Sequence, residues 1–253
     1  MGALNPGDGA DVVILGTCLA SQELNDRAVA TAWGKGEVHG LGMAGTGPMD
    51  WALAVRNLLP DGVERIVVAF VPGDLQNAVP PHESRTTELM TVADLPDVWM
   101  SCPTGSRTHC GTELALSFAW PAYRYRGFVA AKIWASVGAS APPLPPAGPR
   151  APIAAVPPSP EDALAWIARL TDAAHDHDAA IDFVQMPVRA DANRTVASQD
   201  PGLPGLKAVL SDHGAGFAQL PSLPAAMFTD EHHVAPEGAD QLSAELGAWL
   251  RER

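Results

Sequence analysis

The residues best equipped for chemistry lie at opposite ends of the chain. Near the amino end, Asp11-Val12-Val13-Ile14-Leu15-Gly16-Thr17-Cys18-Leu19-Ala20-Ser21 is an apolar, β-branched run that stops at a glycine and continues into small polar residues. In a parallel α/β sheet such a strand delivers its last residues to the carboxyl edge, where open sheets bind ligands. Cys18 then stands near the start of the next helix, where unpaired N–H groups and the helix dipole favour an anion, a thiolate included. Near the carboxyl end, Asp230-Glu231-His232-His233 offers a base and a carboxylate three residues apart. At that spacing, in a loop ahead of a helix, the carboxylate reaches back to the imidazole Nδ1–H, fixes its tautomer and stabilises the imidazolium. His232 competes for the same role. The spacing to Asp230 and the following Val234-x-Pro236 favour His233 and leave His232 at a pocket rim. Alone, Asp-x-x-His recurs by chance, and a cysteine often serves as a small buried filler. The elements that position these residues decide between the readings.

The pattern alternates. Residues 11–16 read as a strand and residues 20–33 as a helix with Leu24, Ala28 and Ala32 on one face. Residues 38–43 form a second strand running into Ala44-Gly45-Thr46-Gly47-Pro48, a glycine-permitted turn. A helix over 49–59 follows, stopped by Pro60-Asp61-Gly62, and Arg65-Ile66-Val67-Val68-Ala69-Phe70-Val71 has the continuous apolar character of a central parallel strand. Ser159-Pro160-Glu161-Asp162 is a helix start with serine as cap and proline in the first turn. That helix runs to about Ala174, then come a strand over 181–188, a helix near 203–213, a short strand over 216–220, and a terminal helix with Leu242, Leu246 and Leu250 on one face. Repeated strand–helix alternation predicts a flavodoxin-like three-layer α/β/α fold with a mostly parallel central sheet.

The middle departs from this rhythm. Residues 76–137 show no clear strand, and an aromatic-rich helical stretch from Thr112 to about Val137 is interrupted by Pro121. Nine prolines in residues 141–160 predict an extended connector. The whole chain reads as a single domain, 1–253, carrying a helical and proline-rich insertion over 76–158, a candidate lid. Tyr123 in the insertion is a candidate for a pocket wall.

Composition narrows the function. The net charge is −13 with no lysine- or arginine-rich block, which argues against a nucleic-acid or anionic-membrane partner. No run of 18 apolar residues occurs, so no membrane span is expected. Residues 1–10 show no basic region followed by an apolar core. Three cysteines without regular spacing suggest free thiols in a reducing compartment, hence a cytoplasmic protein. Cys102, His109 and Cys110 lack zinc-site spacing, and neither a metal nor an organic cofactor is expected.

Taken together, three blocks resemble the SGNH hydrolases, the GDSL-like esterases and acyltransferases. Gly16-Thr17-Cys18 matches the family's Gly-Asp-Ser, whose serine is the nucleophile. In Gly42-Met43-Ala44-Gly45-Thr46, Gly45 matches the glycine that lends its N–H to the oxyanion hole. Asp230-Glu231-His232-His233-Val234-Ala235-Pro236-Glu237-Gly238 is similar to the family's last block. Two departures stand out: Cys18 replaces the serine, and in Pro72-Gly73-Asp74-Leu75 Gly73 stands where the family carries an oxyanion asparagine.

The resemblance implies Cys18, His233 and Asp230 as catalytic residues and the N–H groups of Cys18 and Gly45 as oxyanion donors; in the asparagine's place the candidates are a backbone N–H such as that of Gly73, Gln76 or Asn77. Asp74, Gln76, Asn77, Tyr123 and His232 are expected to contact substrate. The expected reaction is hydrolysis or transfer of an acyl group from a small ester or thioester, free or carried on coenzyme A or a carrier protein, through an acyl-cysteine. The alternatives are a plain carboxylester hydrolase and a catalytically weakened binding module.

Overall fold

Five strands form one sheet, the central ones from apolar, β-branched runs: β1 (Val12–Gly16), β2 (Val38–Gly42), β3 (Arg65–Phe70), β4 (Ala180–Gln185) and β5 (Gly216–Gln219). Their order is β2-β1-β3-β4-β5 and every neighbouring pair is parallel. This is the flavodoxin-like order, which reverses direction at β1 and β3 and opens a crevice at the carboxyl edge there. The computed structural model describes residues 10–76, 84–102, 107–120, 159–189, 204–230 and 233–253, apart from the side chains of Leu19, Ser21, Gln76, Ser84 and Arg85.

Nine helices complete the described residues: α1 (Cys18–Gln22), α2 (Asp26–Trp33), α3 (Pro48–Leu58), α4 (Ser84–Leu89), α5 (Leu95–Met100), α6 (Arg107–Ala119), α7 (Pro160–Asp176), α8 (Leu206–Asp212) and α9 (Pro236–Arg251). On one sheet face Val12, Ile14, Val67, Ala69 and Val184 pack with Val29 and Trp33 of α2 and with Leu242, Leu246 and Leu250 of α9. On the other face lie Val13, Leu15, Ile66, Val68, Phe70 and Phe183, all buried, beneath the packed pair α3 and α7. Burial on both faces is what the unbroken apolar runs of β1 and β3 require. Beyond the opposite edge from Cys18, Asp182 pairs with Arg65 and, at 3.1 Å, with Arg253.

The helix expected over 20–33 is two helices. The chain breaks at Glu23–Asn25 because Asn25 caps α2, its side chain accepting from the Ala28 N–H at 3.1 Å while Ser243 Oγ accepts from the Asn25 N–H at 2.9 Å. An asparagine that satisfies a helix's first free donors competes with helix continuation. By contrast α7 starts as its sequence predicts, with Ser159 accepting from the Asp162 N–H and proline in the first turn.

The described chain falls into two compact units, Met1–Asn77 with Pro158–Arg253 and Ala78–Pro157. In the second, α4 and α5 each pack against α6. Thr91 and Asp94 close a reciprocal cap between α4 and α5. Cys102 and Cys110 are joined by a disulfide, which corrects the free-thiol reading. The physical reason is that α6 begins at Arg107, not Thr112, so Cys110 lies on a helix packed against α5 and meets Cys102 at its end. Disulfides persist in oxidising compartments, so the cytoplasmic expectation loses the thiols on which it rested. No helix among the described residues is long and apolar enough to cross a membrane. Tyr123 and the proline-rich tract lie outside the described residues.

Candidate active site

Gly16 sets the position of Cys18. It pairs with Gly42 on one side and Ala69 on the other, and its carbonyl accepts from the Met43 N–H at 2.8 Å. A Cβ on Gly16 would stand 2.3 Å from the Ala69 carbonyl oxygen and 2.8 Å from the Ala20 Cβ. Only glycine lets α1 start this close to the sheet, and two residues later the chain presents Cys18 at the crevice. Cys18 is the first residue of α1, which has 5 residues. So short a helix adds little dipole, and what it offers at Cys18 is the free N–H groups of its first turn.

Cys18 is half-buried and is the cysteine outside the disulfide. Its Sγ lies 3.5 Å from Nε2 of His233, and the His233 Nδ1 lies 2.7 Å from Oδ2 of Asp230. A carboxylate only accepts, so Nδ1 donates to Asp230 and Nε2 is left as the acceptor facing the thiol. Asp230 uses its second oxygen on the backbone, Oδ1 accepting from the His233 N–H at 2.8 Å. The His233 carbonyl in turn accepts from the Thr229 N–H at 2.7 Å and the Thr229 hydroxyl at 3.0 Å. Phe228 bridges Val234 in antiparallel fashion, and the Ala235 N–H reaches the Met227 carbonyl. These bonds hold His233 just ahead of α9, with Val234 and Ala235 paired back against Met227 and Phe228.

The chain after β3 is locked to the same edge. Asp74, in a 3-10 turn over Pro72–Gln76, accepts at Oδ2 from the Thr17 hydroxyl at 3.2 Å and from the Val71 N–H at 2.9 Å. Thr17 and Asp74 are both buried, so this clamp fixes the residue before Cys18 to the turn after β3. Asp74, expected on the substrate, thus commits that oxygen to the protein. Gly73 precedes it with open space where a side chain would be. Gly45 sits in the turn after β2 at φ +72°, a backbone state that favours glycine, where Thr46 bonds back to the Met43 carbonyl. Gly45, Cys18 and Gly73 therefore follow three adjacent strands at one edge. Gln76 contributes only its backbone to the description, and Asn77 and His232 lie outside the described residues. Among the described residues no group of three or more His, Cys, Asp or Glu side chains is placed to hold a metal ion.

One residue of this neighbourhood carries no sequence signal. Glu23, in the turn between α1 and α2, is buried, and its Oε1 accepts from the Val234 N–H at 3.3 Å. Burial pushes its carboxyl up to about 8; the Val234 N–H works the other way, and the Asp230 and Asp74 carboxylates add to the rise. A single glutamate beside a helical face reads as solvated surface, and no spacing marks it otherwise.

No protein-family model and no curated protein matches the chain. Among solved structures it is similar to a GDSL-like lipase from Bacteroides thetaiotaomicron, 10% identical, covering 100% of this chain and 92% of that chain, with a TM-score of 0.46. So remote a likeness carries no weight for activity, and function must be argued from the site itself.

Proposed function

We propose that the protein hydrolyses or transfers the acyl group of a small ester or thioester through a covalent acyl-cysteine on Cys18. The observation that supports this best is the continuous line of contacts from Cys18 Sγ through the His233 ring to Asp230, 3.5 Å and 2.7 Å long. The thiol proton passes to Nε2 as Sγ bonds to the substrate carbonyl carbon. Asp230 holds the ring in the tautomer that can take this proton and offsets the imidazolium charge. The tetrahedral oxyanion collapses, the bond to the leaving oxygen or sulfur breaks, and His233 returns the proton to that atom. The product on the enzyme is a thioester. Water or an acceptor alcohol, thiol or amine then attacks it with His233 as base, and Cys18 is regenerated.

The oxyanion donors in this scheme are the N–H groups of Cys18, Gly45 and Gly73, which share the carboxyl edge. With glycine at 73, no side-chain donor comes from that position. Removing one oxyanion donor costs about 2.7–4 kcal/mol in a serine protease, which favours a nucleophile as strong as a thiolate and an activated substrate. The test is stopped-flow release of p-nitrophenol from p-nitrophenyl acetate. The expected result is a burst equal to the protein concentration that Cys18→Ala abolishes. A full burst in Cys18→Ala, or no release from wild type with any activated ester or thioester, refutes the proposal and favours a binding module. If Cys18→Ser turns over faster than wild type, the protein is an ordinary esterase.

A further inference from the structure

We infer that Glu23 is a positioning residue for the His233 loop: as a neutral carboxylic acid it ties that loop to the end of α1, and its ionisation loosens the tie. The inference rests on Cys18 and His233 acting together as proposed above. Glu23 follows directly on α1, the helix that Cys18 opens, and its Oε1 accepts from the N–H of the residue after His233. A single carboxyl thus joins the nucleophile's helix to the base's loop, in addition to the Cys18–His233 contact itself.

The surroundings favour the neutral form. Glu23 is 2% exposed, and its Oε2 is buried with no hydrogen-bond partner among the described residues. Among the described residues the charged groups acting on it are the carboxylates of Asp230 and Asp74, with Asp240 lining the same cleft of about 270 Å³ that Glu23 shares with Val234 and Pro236. The neighbouring base, His233, gives its Nδ1 to Asp230. A charge on Oε2 would stand without compensation among like charges, which is costly in a low dielectric. The acid form avoids this: one oxygen accepts from Val234 and the other holds the proton. When the proton leaves, the carboxylate is better served by water than by one backbone N–H, and the cleft is large enough to admit water. The loop that carries His233 then loses its tie. Glutamine keeps the acceptor and the shape but cannot ionise, whereas alanine removes the acceptor.

The experiment compares wild type, Glu23→Gln and Glu23→Ala by kcat/KM for p-nitrophenyl acetate from pH 6 to 9.5, and by NMR of protein labelled at the glutamate carboxyl carbons and histidine ring nitrogens. At pH 9 about one-tenth of a group titrating near 8 is still protonated, and the ionised form should keep about the one-tenth activity expected of Glu23→Ala, so wild type is expected to fall about fivefold from its plateau while Glu23→Gln does not. At pH 7 Glu23→Ala is expected to lose about tenfold, most of it restored in Glu23→Gln, with the His233 ring signals shifted in the alanine variant alone. One glutamate carboxyl should titrate near pH 8 and vanish in Glu23→Gln. A purely structural Glu23 would lower the melting temperature of the alanine variant and leave the pH profile and ring signals unchanged. That result, the same alkaline limb in Glu23→Gln, or titration of Glu23 in the ordinary carboxyl range overturns the inference. The NMR signals need no turnover, so an inactive protein would refute the acyl-transfer proposal while they still decide the role of Glu23.

Discussion

Replacing Asp230 by asparagine separates orientation from proximity in the proposed triad. Asp230 makes two bonds to one residue: Oδ1 accepts from the His233 backbone N–H and Oδ2 from the ring Nδ1–H. An amide has a single acceptor oxygen. If it keeps the backbone bond, its NH2 faces Nδ1, which must then accept, and the ring proton moves to Nε2. In that tautomer His233 donates towards Cys18 and cannot take the thiol proton. The loop itself should survive, since Thr229 holds the His233 carbonyl by two bonds. In a buried serine triad the same exchange lowers kcat about 10⁴-fold. Here the Asp230 side chain is 52% exposed, so solvent screens its charge. A thiol also depends less on its base than a hydroxyl. Both effects bring the expected loss down to about 10²–10³-fold, or about 3–4 kcal/mol of transition-state stabilisation. The assay is kcat for an activated ester across pH, with an unchanged far-ultraviolet circular dichroism spectrum as the control. An Asp230→Asn variant within threefold of wild type at pH 7, or one that changes only KM, would refute the role assigned to this carboxylate.

Three further outcomes follow from particular contacts. Among the described residues an added Cβ at Gly73 meets nothing within 4 Å, so Gly73→Asn should fold normally and, by offering an amide to the oxyanion, raise kcat by up to about 10²-fold; an unchanged rate in a folded variant would remove Gly73 from the oxyanion site. Reducing the Cys102–Cys110 disulfide opens a short loop and should cost α6 about 2–3 kcal/mol, read as faster hydrogen exchange at its amides; equal exchange with and without reductant would contradict it. The Glu23 carboxyl rises from 4.5 to about 8 on folding, so the folded chain keeps a proton that the unfolded chain releases. Its contribution to stability is full below about pH 4.5 and is lost as pH rises through 8, a change of at most on the order of 5 kcal/mol. Urea denaturation at several pH values should show this fall in wild type and its absence in Glu23→Gln; parallel curves would contradict it.

The sheet was legible because β1, β3 and β4 are buried on both faces, and two-sided burial leaves an unbroken apolar run in the sequence. The start of α7 was legible for a local reason, a serine cap followed by proline and acids. Where tertiary contacts compete with periodicity, the reading missed. The helix over 20–33 breaks because Asn25 has partners in α2 and α9 that its neighbours do not reveal. The disulfide escaped because it depends on where α6 begins and on its packing against α5. At the site, Cys18, His233 and Asp230 are visible as residue types in suggestive spacing, yet their convergence comes from the strand order and the loop at 228–235. Asp74 reads in the sequence as a substrate contact, and the fold around β3 adds that its Oδ2 accepts from the Thr17 hydroxyl and the Val71 N–H. Glu23 was invisible because its burial depends on the loop that follows His233.

The most direct test of the account is the intact mass of the protein after brief incubation with an activated acyl donor such as acetyl phosphate, p-nitrophenyl acetate or acetyl-coenzyme A, quenched in acid. The account predicts a single added acyl group in wild type, mapped by peptide fragmentation to Cys18, released by hydroxylamine, slowed in Asp230→Asn and absent in Cys18→Ala. An adduct that persists in Cys18→Ala, or a wild-type protein that stays unmodified with every donor while folded, would contradict it.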